Sequence, residues 1–440
     1  MIASLLAGVA VSDITPPRGS VLAGFAARTA PSAGIHDPLF ARAVALDDGR
    51  QGSIVVASDL VALTIGQCDE VRRRVREHTG LGVESVLLSV THTHAGPHVS
   101  EDELGPSADV DYVGWLEQEL AATAIRAWSA RQPARIGHAF GVERTVAHNR
   151  RHLDGVVDPT VTVVRVDDAE GAPLAVLFSY SCHPVVLGPT NLLISADWPG
   201  EARQRVEERF AGAVAVFLQG CCGDINTGHS AHDSMGPTKS DRRTFAQSRL
   251  LGRRLGEVVV DVAESVRTVD ATVAVARVAV ALPFSSPPEL HELDRLIWEV
   301  DAEMAGDASR DREVVLRGRR AWLQALQVQR PPASIDCDVV AHRWGSLTVA
   351  AVPGEAFVGI GLAVKAGVPD RDALVLGYCN GVPGYVPYPP AEYAHGGYEV
   401  DEAHYFYAQP NCFAPSAGVS LVDAARRAID LLEPSTRADP

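Results

Sequence analysis

The chain is nearly devoid of lysine: Lys239 and Lys365 are the two in 440 residues. It contains no GxxxxGK[ST] segment, so a lysine-bearing phosphate loop is not expected, and neither is a Schiff-base lysine. Excess positive charge is also missing. Lys and Arg total 39 against 55 Asp and Glu, a net charge of −16, which argues against a nucleic-acid backbone as partner. No apolar run reaches the ~18 residues of a membrane helix, so no membrane insertion is expected. The opening MIASLLAGVAVSDITPP has no basic stretch before its apolar part and passes into a patterned strand, so no signal peptide is expected. Cysteine is sparse. The seven residues include no CxxC, which fits reduced thiols and a cytoplasmic location. The adjacent Cys221 and Cys222 are read as two small residues packed at a strand end, not as a vicinal disulfide. There is no repeat and no low-complexity tract.

What is present is an ordinary globular composition, 46% hydrophobic and 21% charged. Short apolar, often β-branched runs at 53–58, 85–90, 161–166, 174–181, 213–219, 347–352 and 374–377 predict strands buried on both faces. Amphipathic helices are predicted over 67–79, 112–130, 199–210, 242–266 and 417–432, with Asp197 as an N-cap ahead of Trp198 and Pro199. This alternation predicts an α/β fold of mixed sheets with flanking helices. The charged stretch 289–329, broken at 306–309, predicts a helical hairpin. It is read as a solvated surface excursion, with a lid or an oligomer contact as the alternative. The expectation is one domain over 1–434 with a helical insertion at 285–332, and a frayed tail at 435–440.

Five strand-like runs end in polar residues suited to catalysis or metal binding. SVLLSVT leads into His92 and His94, LAVLFSYSC into His183, and AVAVFLQGCC into Asp224 and Asn226. LTVAAVPG leads into Glu355, and ALVLGYCN into the segment reaching Tyr385. Sites in open α/β sheets form beyond strand carboxyl ends. Imidazole and carboxylate are standard zinc ligands, and the alternation of a strand would put His92 and His94 on one face. Each signal also has a bland counterpart: a polar turn for HxH, a satisfied core histidine for His183, a surface turn for Glu355. Their common placement sets a metal centre level with those readings. His98 is read as a bystander. The GxGxxG-like glycines near 354–361 do not follow a strand in the way a dinucleotide site requires, and no organic cofactor is expected.

The same residues resemble the catalytic domain of the neutral ceramidases, zinc amidases that cleave N-acyl sphingosine. The ordered matches are Gly8-Val9-Ala10 with Asp13 to Pro17, THTHAGP, His148-Asn149-Arg150, His183 with Asn191 to Asp197, QGCCGDIN, VPGE, and the tyrosine-rich 377–407. The resemblance implies Zn2+ held by His92, His183, Glu355 and Tyr385. It places His94 near the attacking water and the leaving nitrogen, and Arg150 and Tyr398 near the substrate carbonyl. Tyr398 lies one residue further from Tyr385 than the family's spacing. A second departure is Asn226, which stands where the family's GDxSPN motif has serine. The chain is expected to correspond to the catalytic domain alone, without the family's C-terminal immunoglobulin-like domain.

The expected function is therefore metal-assisted hydrolysis of an amide in a small or medium N-acyl compound. His94 would serve as acid and base. Arg150 and Asn226 would share the oxyanion charge, and Asp224 would orient a histidine or the substrate, or simply cap a turn. Three rivals are a metal esterase or other metal hydrolase, an amide-forming or acyl-transfer enzyme on the same site, and a non-catalytic binding member of the family.

Overall fold

The computed structural model describes residues 4–100, 108–236, 242–329 and 332–433. The expected tail at 435–440, Lys239 and residues 330–331 of the expected insertion lie outside the described residues. The first part of the chain forms β1 (Leu6–Asp13), β2 (Gly34–Ile35), β3 (Phe40–Asp47), β4 (Gly52–Ser58), α1 (Ile65–Thr79), β5 (Val86–Val90), α2 (Val110–Ser129), β6 (Gln132–Val142) and β7 (His148–Asn149). The middle forms β8 (Thr160–Asp168), β9 (Pro173–Tyr180), β10 (Leu193–Ile194), α3 (Asp197–Arg209), β11 (Val214–Gln219), β12 (Ile225–Asn226) and α4 (Phe245–Ser265). The last part forms β13 (Val273–Pro283), α5 (Leu290–Met304), α6 (Arg310–Val328), β14 (Ser334–Trp344), β15 (Leu347–Ala351), β16 (Glu355–Ala356), α7 (Val358–Ala366), β17 (Asp372–Leu376), β18 (Tyr385–Val386) and α8 (Ser416–Asp430).

Two mixed sheets dominate. One has eight strands in the order β11-β9-β8-β6-β1-β3-β4-β5, and the other four in the order β13-β14-β15-β17. Parallel neighbours are β4 with β5, β9 with β11, and β15 with β17. The apolar runs look continuous because successive side chains feed two different interiors. In β4, Ile54 and Val56 pack with the helices α1 to α4, while Val55 and Ala57 pack against the second sheet. In β11, Ala215 and Phe217 take the helix side, and Val216 and Leu218 the inter-sheet side. In β17, Leu374 and Leu376 face the larger sheet, and Val375 packs with α7 and α8. The result is four layers: helices, eight-stranded sheet, four-stranded sheet, helices. Each such buried aliphatic side chain contributes ~1.5–3 kcal/mol, so register is strongly specified on both faces.

The mixed α/β class matches the expectation. All seven expected strands form, with ends shifted by one or two residues. The Asp197 cap takes a different form. Asp197 itself opens α3 with φ 54, and its carboxylate accepts from the amides of Trp198 and Leu187 at 2.6 and 3.0 Å and from Ser248 Oγ at 3.0 Å. All seven cysteines are free thiols, Cys221 and Cys222 included. The charged stretch is a helical hairpin, α5 and α6, with its own small core of Leu293, Val300, Leu316, Trp322, Leu323 and Leu326. It is not merely a solvated excursion, because one face of α6 forms a wall of the cavity described below. Among the described residues, no helix is long and apolar enough to cross a membrane.

Candidate active site

The end of β17 and the chain just after it bridge both edges of the larger sheet: Cys379 pairs with Ser89 of β5, and Leu376 with Gly220 just after β11. This brings the ends of β5, β9, β11, β15 and β17 to one place. After β5 the backbone stays anchored to the loop following β4, with Thr91 N donating to Ser58 O at 2.8 Å and His92 N to Leu60 O at 2.9 Å. That loop is fixed by a buried two-pronged ion pair, Arg203 to Asp59, at 2.7 Å on both arms. His92 is held in the left-handed region, φ 66, a conformation that non-glycine residues adopt at a cost and that is concentrated at functional sites. His183 N donates to Ile225 O at 3.0 Å, and Trp198 Nε1 donates to His183 O at 3.2 Å. β16 and β18 pair in parallel with Glu355 directly opposite Tyr385.

The side chains converge on Glu355. Its Oε2 lies 3.3 Å from His92 Nε2 and 3.0 Å from His183 Nε2. His94 Nε2 is 3.2 Å from His92 Nε2. The tautomers follow from the opposite ring nitrogens: His92 Nδ1 donates to Val61 O at 2.6 Å, and His183 Nδ1 donates to Cys222 O at 2.7 Å. Both Nε2 atoms then present lone pairs to a carboxylate oxygen, three acceptors facing one another. A cation between them resolves that conflict. Donor atoms on a tetrahedral zinc with bonds of ~2.0–2.1 Å would lie roughly 3.3 Å apart, close to the spacings found here. The residues therefore fit a metal. Burial, then Arg150, pushes His183 down to about 4, so its imidazole is neutral and able to ligate at neutral pH. Burial, then His92 and His183, keeps His94 well below its usual value.

Further side chains brace this group. Tyr407 hydroxyl donates to Glu355 Oε1, and Tyr378 hydroxyl lies 3.3 Å from Oε2. Arg150 is anchored by its Nε to Glu399 at 2.7 Å, and its Nη2 reaches Gly223 O at 2.7 Å and Tyr385 Oη at 3.1 Å. Burial opposes the charge of Arg150, but Tyr385 and Glu399 overcome it and raise the guanidinium well above its ordinary pKa. Gly24, φ 90, lies against the His94 ring, where a Cβ would come within 2.5 Å of Cγ; only glycine suits both the backbone and the space.

His92, His94, Arg150, Glu355, Tyr385 and Tyr398 all line one cavity of about 610 Å³. His183 lies beneath it, fully buried. Two expected residues are not brought there. The Asn226 amide is engaged in its own turn: Oδ1 accepts from Gly228 N and His229 N at 2.8 and 3.0 Å, and Nδ2 donates to His229 O at 2.8 Å. It is absent from the cavity lining, so the expected oxyanion donor is corrected to a turn residue. Asp224 touches neither a histidine nor the cavity. Its carboxylate accepts from Val358 N at 2.7 Å at the start of α7 and from Asn149 Nδ2 at 3.3 Å, and its carbonyl holds Arg150 N at 2.9 Å. It supports Arg150 through the backbone. His98, read as a bystander, does line the cavity. The sequence marked Tyr378 and Tyr407 only as members of the tyrosine-rich segment, not as bracing residues, and it missed Glu399. Their partners in the fold are far away in sequence, so local pattern does not reveal the contacts.

No family model matches the chain. It is 27% identical over 274 residues to the neutral ceramidase of Pseudomonas aeruginosa, covering 56% of this chain and 40% of that protein. It is 26% identical over 264 residues to neutral ceramidase A of Dictyostelium discoideum, covering 53% and 37%. The crystal structure of the Pseudomonas aeruginosa enzyme superposes with a TM-score of 0.74 at 20% identity, covering 99% of this chain and 76% of that one. The chain resembles the neutral ceramidases in sequence and shares their fold. The aligned part spans about two fifths of these curated relatives' length. The shared fold extends over nearly the whole chain.

Proposed function

We propose that the chain is a zinc-dependent hydrolase that cleaves the amide of a small or medium N-acyl compound. The observation that carries the reading is the convergence of two Nδ1-anchored imidazoles and one carboxylate, all buried, at the floor of a cavity. The similarity to neutral ceramidases supports amide hydrolysis over ester hydrolysis. His92, His183 and Glu355 would hold the metal, with Tyr385 beside Glu355 across the β16–β18 pair. When bound, zinc supplies Lewis acidity that polarises a carbonyl and acidifies water towards pKa ~7. His94, its Nε2 beside the cluster, takes the proton of the attacking water and returns one to the leaving nitrogen. Arg150 Nη1, which has no partner among the described residues, and the Tyr398 hydroxyl face the carbonyl oxygen as charge builds on it.

The test pairs metal content with turnover. Plasma mass spectrometry is expected to find one zinc per chain in the wild type and none in His183→Ala. His94→Gln is expected to retain the metal while losing at least about a hundredfold in kcat on an N-acyl substrate, in the range of general acid–base catalysis. A wild type that takes up no divalent metal would sink the reading. Retention of full activity by His94→Gln would remove the assigned proton carrier.

A further inference from the structure

The chain is acidic overall, yet its cavity is not. Four arginines line it, Arg28, Arg150, Arg310 and Arg317, against two carboxylates, Glu313 and Glu355. Arg150 is neutralised by Glu399 at 2.7 Å and Arg317 by Glu313 at 2.9 Å. Glu355 belongs to the histidine cluster. Arg28 and Arg310 have no carboxylate partner among the described residues.

Arg28 is the unusual one. It is only 9% exposed. Its Nη1 donates to Ala23 O at 2.7 Å and its Nη2 to His94 O at 2.9 Å, while Nε is buried without a partner. A second guanidinium lies close by: Arg28 and Arg243 both approach the Phe25 ring, at 4.9 and 5.5 Å from its centroid. Burial, then Arg243, lowers Arg28 to about 10, so it remains a cation at neutral pH. A buried cation with no counter-ion, beside a second cation, is costly to maintain. The cost is relieved if the ligand brings the negative charge. Arg310 stands at the exposed rim, on the α6 face that also presents Gly318 and Ala321 to the cavity.

We propose that the substrate is an N-acyl compound bearing a carboxylate, bound by Arg28 with Arg310 attracting it at the rim. A guanidinium fork matches a carboxylate in shape and charge. This rests on the hydrolase reading: water adds across the C–N bond to give a carboxylic acid and an amine, and the anchoring carboxylate is unchanged.

The experiment uses two matched pairs. N-hexanoyl-phenylalanine against its carboxamide places the charge on the amine half. Glutaryl anilide against pentanoyl anilide places it on the acyl half. One pair is expected to show at least about a tenfold higher kcat/KM for the anion, as a charged hydrogen bond would give, and which pair does so locates the subsite. Arg28→Gln and Arg310→Gln are each expected to bring that ratio towards one, and Arg28→Lys to keep part of it. Equal or better turnover of both neutral compounds overturns the carboxylate proposal and leaves the hydrolase standing. A ratio unchanged in both glutamine variants also overturns it. If no compound is turned over, the hydrolase reading falls, and calorimetric binding decides the anion site: tighter binding of the carboxylate than of its amide supports it, and equal binding overturns it.

Discussion

At the scale of single residues, the proposed metal group depends on atoms that would never touch a metal. Glu355 keeps its orientation because Tyr407 donates to Oε1 and Tyr378 stands at Oε2. Removing a hydrogen bond to a ligating carboxylate typically weakens metal binding by ~10–100-fold. Tyr407→Phe, which deletes only the hydroxyl, is expected to lower zinc affinity within that range in a chelator competition assay, with the fold intact by circular dichroism. A Tyr407→Phe protein that holds zinc as tightly as the wild type would mean Glu355 needs no such brace. The histidines of this site were legible in THTHAGPH and in the polar ends of the apolar runs. The brace was not, because the contact joins positions 355 and 407 across a loop. Asn226 shows the opposite failure. Its place in a known motif suggested chemistry, while its side chain satisfies the amides of the turn that follows.

At the scale of elements, the continuous apolar strands were read correctly, because burial on both faces leaves no polar alternation to misread. The expected runs left out β3, β6, β13 and β14: β6 and β13 are partly exposed along their length, β3 is buried but reads FARAVALD, rich in alanine and interrupted by Arg42, and β14 is interrupted by Asp336 and Asp338. The α5–α6 hairpin was legible as two helices, but not its inward face. Arg310, Glu313, Val314, Arg317, Gly318 and Ala321 recur at helical spacing, and sequence alone does not say what that stripe covers. Gly318 sets how closely α6 approaches Phe406, where an added Cβ would come within 2.6 Å of the ring. Gly318→Val is therefore expected to displace α6 or Phe406 and reshape the cavity. In a homologous series of N-acyl substrates, kcat/KM should fall more steeply for long acyl chains than for acetyl. A uniform loss across the series would assign Gly318 to stability instead of substrate fit.

At the scale of the whole molecule, the two sheets share a buried polar link. His342 Nδ1 pairs with Ser53 Oγ at 2.8 Å and its Nε2 with Glu84 O at 2.9 Å, while Trp344 Nε1 donates to the same Ser53 Oγ at 2.9 Å. Burial pushes His342 down to about 4 from 6.5. With a depressed folded-state value, its contribution to stability is complete above about pH 6.5 and is lost as pH falls through 4, because the unfolded chain takes up the proton first. Urea titrations between pH 7 and 4 should show His342→Gln less acid-sensitive than the wild type, by up to about 1.4 kcal/mol per pH unit. Identical pH slopes would show that the proton is taken up elsewhere. The four-layer arrangement also bears on synthesis. The cluster needs position 92 from one sheet edge, 183 from beside the other, 355 from the second sheet and 407 to brace it. A nascent chain therefore emerges with its histidines long before it has a carboxylate to set between them. Metal capture, as proposed above, would then be a late event, and a chain cut short before Glu355 would carry the histidine motif intact without the site it belongs to.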